Sequence, residues 1–515
     1  MPPEWSGFPV VRSLRALSWV RWTSLAILLA SSVLSQSALA FSWSLALQQG
    51  RIGLALPDIQ SGDWQVTGIR ADLVNAVEAD NRNITVHFKT GSVLQAESLV
   101  HNANGEPTQL AQVQVELSAV TLVINLGGTG SLADRSTVTG NVIIDVGEVR
   151  HPYLKPQSWR FEGKVAGAFT DLTIEGRAQS ASGLAADVVI HNVLGNFLAA
   201  RVATEVIGGA GGKALASTLA DWPELLELTA GRVKAEASLR IEPDEPLVLD
   251  ASFNADGVDG LMDRTALTGL NGRLLVNLED DTLTAHFRDL AVAQINSGIG
   301  IGPIRFLADY RAPRGNVFGG ILSVQQANAD FLDGRLRVAP GAIDLGAEPW
   351  TLPVDVYEVS LERLLQVYPA EGFSGTGELT GLVPIQVSSA GIEVHQGTIS
   401  AIAPGGLLRL PAERLQAMLG SSEAMAQVVD ALQNFHYSVL DSTIDYDDKG
   451  RLILGLRLEG QNPEVRGGRP VVLNINLEED IPALLTSLQL SGRVNEAVTE
   501  RVQERLKQSG QEAEP

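Results

Sequence analysis

The sequence predicts a mainly β protein: a long antiparallel sheet with one apolar face, an N-terminal membrane-anchor segment and short C-terminal helices. Three observations carry this expectation. Apolar and polar residues alternate with a period of two over most of the chain, which puts the apolar side chains on one face of a pleated strand. Hydrophobic residues make up 45% of the 515 and aromatics only 5%, so the apolar surface is chiefly aliphatic. The 51 glycines fall largely in short clusters between apolar runs, where they supply turns.

The first element is an address. Arg12, Arg15 and Arg21 precede a run without charge from Trp22 to Gly50, with an apolar core of Leu25, Ile27, Leu28, Leu29, Val33 and Leu34. A basic stretch, an apolar core and the small-x-small site Ala38-Leu39-Ala40 read as a secretory signal. The run is also long enough to span a bilayer, and Trp19, Trp22 and Trp43 flank it as interfacial tryptophans flank an uncleaved anchor. The uncleaved anchor is preferred, with cleavage near Ala40 as the alternative. Either puts the rest of the chain outside the cytoplasm.

The body, from about residue 60 to 400, alternates repeatedly. Val233, Leu239 and Ile241 share a face with Ala235 and Ala237. Leu274, Val276 and Leu278 lead through the Glu279-Asp280-Asp281 turn to Leu283, Ala285 and Phe287. Helical period is expected only at Asp221–Thr229 and at Ser360–Val367. Two such apolar faces can close on each other as a sandwich, or one curved sheet can keep its face as an open trough. Periodicity alone leaves both open.

The last quarter changes character. Leu415, Met418 and Leu419, then Met425, Val428, Val429 and Leu432, fall at helical spacing around Gly420. A hairpin follows, Thr443–Tyr446 and the alternating Leu452, Leu454, Leu456 and Leu458, joined by Asp447-Asp448-Lys449-Gly450. A strand at Val471–Leu477 and an amphipathic helix at about 494–507 complete the chain. The expected units are an anchor (1–50), N-terminal sheet repeats (51–255), a second sheet region (256–410), a helical insertion (411–435), a hairpin region (436–492) and a helix with a disordered tail (493–515).

Composition excludes several functions. Net charge is −22, from 38 basic and 60 acidic residues, which repels phosphate backbones, so no nucleic-acid partner is expected. The absence of cysteine excludes disulfides and thiol chemistry. The seven histidines lack metal-ligand spacing. Gly208-Gly209-Ala210-Gly211-Gly212-Lys213 is one residue short of a phosphate loop, and Ala214 stands where Ser or Thr is required, so it reads as a flexible turn. The acids from Asp445 to Asp448 resemble half a calcium loop, but Lys449 and Leu456 occupy ligand positions. No enzyme, metal or cofactor is expected.

The second half carries a resemblance. Phe331-Leu332-Asp333-Gly334-Arg335-Leu336, Val367-Tyr368-Pro369, Gly372-Phe373-Ser374-Gly375-Thr376-Gly377 and Gly381-Leu382-Val383-Pro384 stand in order. Ala431-Leu432-Gln433-Asn434-Phe435-His436-Tyr437, Gly460-Gln461-Asn462-Pro463 and Leu473-Asn474-Ile475-Asn476-Leu477 follow. Together they resemble the YdbH-like family of the AsmA-like superfamily, related to TamB and YhdP, over about 256–490. The resemblance implies a long, curved, β-taco-like groove with an apolar concave face, anchored in the inner membrane with its body in the periplasm. It implies phospholipid as cargo and a small outer-membrane lipoprotein as partner. The candidate lining is then Val233, Leu239, Ile241, Leu274, Val276, Leu278, Leu283, Phe287, Leu452, Leu454, Leu456 and Leu458. A non-catalytic envelope scaffold with a closed β core is the alternative.

Overall fold

The computed structural model describes residues 43–484 apart from 62–63, 104–105, 118, 128, 195, 244, 368–371, 390, 413–422 and 466. The first strands are β1 (Ser44–Ala55), β2 (Ile59–Ser61), β3 (Trp64–Thr67), β4 (Arg70–Asp80), β5 (Asn83–Phe88), β6 (Val93–Ala103), β7 (Glu106–Glu116) and β8 (Thr121–Asn125). Then come β9 (Ser136–His151), β10 (Leu154–Ala168), β11 (Asp171–Ser180), β12 (Ala185–Val193), β13 (Phe197–Ile207), β14 (Leu226–Ile241), β15 (Val248–Met262), β16 (Thr265–Glu279) and β17 (Thr282–Val292). After the short β18 (Gln294–Asn296) and β19 (Gly300–Ile301) stand β20 (Ile304–Pro313), β21 (Ile321–Phe331), β22 (Gly334–Val338), β23 (Gly341–Asp344) and β24 (Trp350–Ser360). The last are β25 (Ser374–Gly375), β26 (Glu378–Ser388), β27 (Gly391–Ala401), β28 (Gly406–Arg409), β29 (Phe435–Tyr446), β30 (Arg451–Gln461) and β31 (Val471–Asp480). The described α-helices are α1 (Ala210–Thr218), α2 (Leu361–Val367) and α3 (Glu423–Leu432).

These strands form one antiparallel sheet of 31 strands. Its ladder runs β1, β4, β6, β7, β9, then in sequence order to β17. It continues through β20, β21, β22, β24, β26, β27, β29, β30 and β31. At about 4.8 Å per rung, some twenty rungs give a ladder on the order of 100 Å long.

A row of bulges bends the strands at a common level. Register shifts fall at Leu228–Arg232 of β14, Ala255–Gly260 of β15, Asn271–Arg273 of β16 and Phe287–Leu290 of β17. They recur at Val356–Val359 of β24 and Val394–Gly397 of β27. In β17, β24 and β27 the extra residue is Asp289, Glu358 or Gln396, each with φ between 51° and 55°. One extra residue swaps odd positions for even, so the apolar set moves from Leu283, Ala285 and Phe287 to Leu290 and Val292 without changing face. The bulged strands therefore turn a corner while keeping their aliphatic side inward, and the sheet curves into a trough.

The trough has unlike edges. α1, α2 and α3 all sit in connections at one edge, while the other is turned by tight links such as Asp280-Asp281 and Asp447–Gly450. The Asp447 carboxylate accepts the Lys449 and Arg451 amides at 3.1 and 2.9 Å, which closes that hairpin.

Two expectations are corrected here. Asp221–Thr229 is not helical, because Leu226 and Leu228 already belong to β14 and Trp222 Nε1 donates to the Leu226 carbonyl at 2.8 Å. The helix lies instead at α1, across the glycine-rich run read as a flexible turn. Its glycines make it a poor helix in isolation, but it packs on β10, β13 and β14, and a Cβ at Gly212 would stand 2.7 Å from the Leu228 carbonyl oxygen. Thr218 Oγ1 donates to Ala214 O at 2.7 Å and lies 2.8 Å from Ser182 Oγ, while Lys155 Nζ donates to Ala216 O at 2.8 Å. α2 forms where the periodicity puts it. The expected helical residues 415–419 and 494–507, and the anchor residues 25–34, lie outside the described residues.

Candidate apolar groove

Residues opposite one another in neighbouring strands share a face, so the pairing traces the groove surface. Leu239 faces Leu249, Leu249 faces Leu278, Leu278 faces Leu283, and Leu283 faces Ala312. The next row is Ala237, Ala251, Val276, Ala285 and Tyr310, and the next Ala235, Phe253, Leu274, Phe287 and Ala308. Val233 joins them opposite Ala255, and Ile241 opposite Leu198. The same face carries on to Leu452, Leu454, Leu456 and Leu458, which stand opposite Tyr446, Ile444, Ser442 and Leu440. All the sequence-predicted positions thus lie on one face, and the bulges are what keep them there.

That face is shielded although, among the described residues, no second sheet covers it. Along β14 the inward residues from Val233 to Ile241 are half-buried, while Arg232, Lys234, Glu236, Ser238 and Arg240 are exposed. The depth varies: Leu278 is 6% exposed and Phe253 41%. Phe287 and Phe306 meet edge-on across the bend, with centroids 5.7 Å apart.

Sequence reasoning missed much of the lining, notably Leu249, Ala251 and Phe253 of β15 and Leu198 and Val202 of β13. In β15 the alternation is legible, but the odd-to-even swap between Ala255 and Val258 hides it from a single-period search.

Ion pairs line the outer face. Arg201 pairs with Glu236, and Arg232 with Glu205, both at 2.9 Å, while Arg160 pairs with Asp145 at 2.8 Å. The densest cluster surrounds Asp309, which lies 2.5 Å from His286 Nδ1 and accepts from Arg288 Nη2 at 2.6 Å and from Gln325. The His286 hydrogen bond, with those from Arg288 and Gln325, holds the Asp309 carboxyl down at about 2. Ser323 is paired with Asp309, not with His286, so the cluster lacks the nucleophile–base–acid order of a hydrolase triad. Among the described residues no group of three or more acidic or histidine side chains is placed to hold a metal ion.

A cavity of about 560 Å³ lies at the helix edge, apart from the aliphatic rows. Its lining includes Asp330, Asp333, Arg335 and Arg363, already joined as Arg335–Asp330 and Arg363–Asp333 at 3.6 and 3.3 Å. The groove, not this polar cavity, is the large apolar surface of the molecule.

Among the described residues two clusters are buried. Val120, Val138, Val142 and Val165 pack together around β8, β9 and β10. Val429 and Leu432 of α3 and Leu361 of α2 pack with Phe435, Leu440, Leu458 and Leu473 into a closed core.

The YdbH-like family model, described as intermembrane phospholipid transport protein YdbH, matches residues 21–503. The chain belongs to the YdbH-like family. Neither curated proteins nor solved structures yield a match. A YdbH-like chain is a lipid-transport protein of the cell envelope rather than an enzyme, and phospholipid is its cargo class. Among the described residues no helix is long and apolar enough to cross a membrane.

Proposed function

We propose that this YdbH-like protein is a bridge-like conduit along which phospholipid moves between the inner and outer membranes, with acyl chains in the groove and headgroups in water. The observation that supports the reading is the aliphatic face that the strand pairing carries from β13 to β20 and on along β30, held in register through the bulges. Moving an acyl chain through water costs roughly 0.8 kcal/mol per CH₂. On a continuous apolar surface the area lost at one rung is regained at the next, so that cost is never met in full. Such a path needs no nucleophile, metal or cofactor.

The uncharged run around Leu25–Leu34 would hold the β1 end at the inner membrane, with the body in the periplasm. A ladder on the order of 100 Å reaches far across that space, and a small outer-membrane lipoprotein at the β31 end would complete the span. Closed cores such as the one beneath α3 and the Val120–Val165 cluster are what a scaffold would show, but they leave the rows from β14 to β17 half-buried.

The test is a charge on the path. Leu274→Glu and Val276→Glu are expected to lower phospholipid transfer between the membranes at least tenfold, with the thermal midpoint within a few degrees of wild type. Transfer at the wild-type rate in both folded variants would take these residues off the path.

A further inference from the structure

At the β31 end the groove changes cross-section. β29, β30 and β31 stack inward residues in levels from the hairpin edge to the helix edge: Tyr446, Leu452 and Glu479, then Ile444, Leu454 and Leu477, then Ser442, Leu456 and Ile475, then Leu440, Leu458 and Leu473. The last level is sealed, with Leu458 2% and Leu473 7% exposed, beneath the fully buried Leu432 and Phe435. The two levels nearest the hairpin edge are only half-buried.

The helix that seals the far level is pinned. Asn462 Nδ2 donates to the Asp430 carbonyl at 2.8 Å, and the Leu410 amide donates to the Leu432 carbonyl at 3.1 Å. Tyr437, buried in the same core, donates its hydroxyl to Thr376 O at 2.7 Å. The packing and these hydrogen bonds leave no width for an acyl chain on the helix side.

Resting on the conduit reading, we infer that the acyl-chain path shifts sideways at the β31 end. It leaves the helix-edge half and runs along Leu454, Leu477, Ile444 and Leu452 at the hairpin edge, so Leu458 and Leu473 are structural and not part of the path. Ser442 marks the boundary. Glu479, on the same face as Leu452, stands where a headgroup would meet water.

A small aliphatic diazirine probe in the full-length chain in its native envelope tests this, with adducts read by mass spectrometry. Phospholipid adducts are expected at Val276, Leu454 and Leu477, and adducts to the chain itself at Leu458 and Leu473. Phospholipid at Leu458 or Leu473, or capture at Val276 without capture at Leu454 and Leu477, would overturn the sideways path while leaving the conduit standing. No capture at any position, Val276 included, would overturn both. Because a probe in a packed core can unfold it, Leu458→Ala and Leu473→Ala serve alongside. They are expected to lower the thermal midpoint and keep transfer below it, whereas Leu454→Glu loses transfer at least tenfold with the midpoint unchanged. The reverse pattern contradicts the inference.

Discussion

Single residues divide by face. On the outer face the ion pairs are solvated, and each contributes little to stability; they keep an aliphatic sheet soluble and its strands in register. Asp309 is the one whose titration is most visible. Its folded-state pKa of about 2 lies below the usual carboxylate value of about 4, so the stabilisation is present above about pH 4 and fades as pH falls toward 2. Asp309→Asn is therefore expected to lower the thermal midpoint slightly at neutral pH, with the two curves converging near pH 2. A gap that stays constant with pH would mean that the Asp309 charge is not the source. On the inner face the aliphatic residues were legible because alternation is a direct consequence of strand geometry. Which of them face an open channel and which a packed core was not legible: Leu456 and Leu458 look alike in sequence, and only α3 distinguishes them.

Among elements, the bulged strands set the shape. Asp289, Glu358 and Gln396 adopt left-handed φ at the extra residue, a conformation that costs a non-glycine side chain on the order of 1 kcal/mol. Asp289→Gly is expected to be neutral or slightly stabilising, while insertion of one residue beside Asp289 would turn Leu290 and Val292 outward. Thermal melts and protease susceptibility should separate the two variants sharply; equal stability would show that the bulge does not hold the register. These positions were hidden in the sequence, because a period-two search breaks at a bulge and restarts on the other parity. α1 was missed for a related reason: its glycines argue against a helix until Leu228 and Ser182 are there to pack and bond it, and no local signal carries that. α2, with Leu361, Leu364 and Leu365 on one face, needed no such help.

For the whole molecule, alternation left a closed sandwich and an open trough equally allowed, and family resemblance favoured the trough. The structure explains how one sheet suffices: bulges that bend many of its strands at a common level shield the apolar face without a partner layer, and leave it half-buried over much of its length. The core beneath α3 narrows the far end rather than closing it. A largely aliphatic surface along a ladder on the order of 100 Å long, with its ion pairs on the outside, is the form that acyl-chain transfer requires. The most direct measurement is site-specific photocrosslinking in cells, with the probe at Val276, Phe287 and Leu454 and an outward control at Asn277, followed by mass spectrometry of the adducts. Phospholipid captured at the inward positions and absent from Asn277 is the result predicted for a lipid-lined groove. A stably folded protein that captures no lipid at any of them would contradict the conduit and point to a closed scaffold.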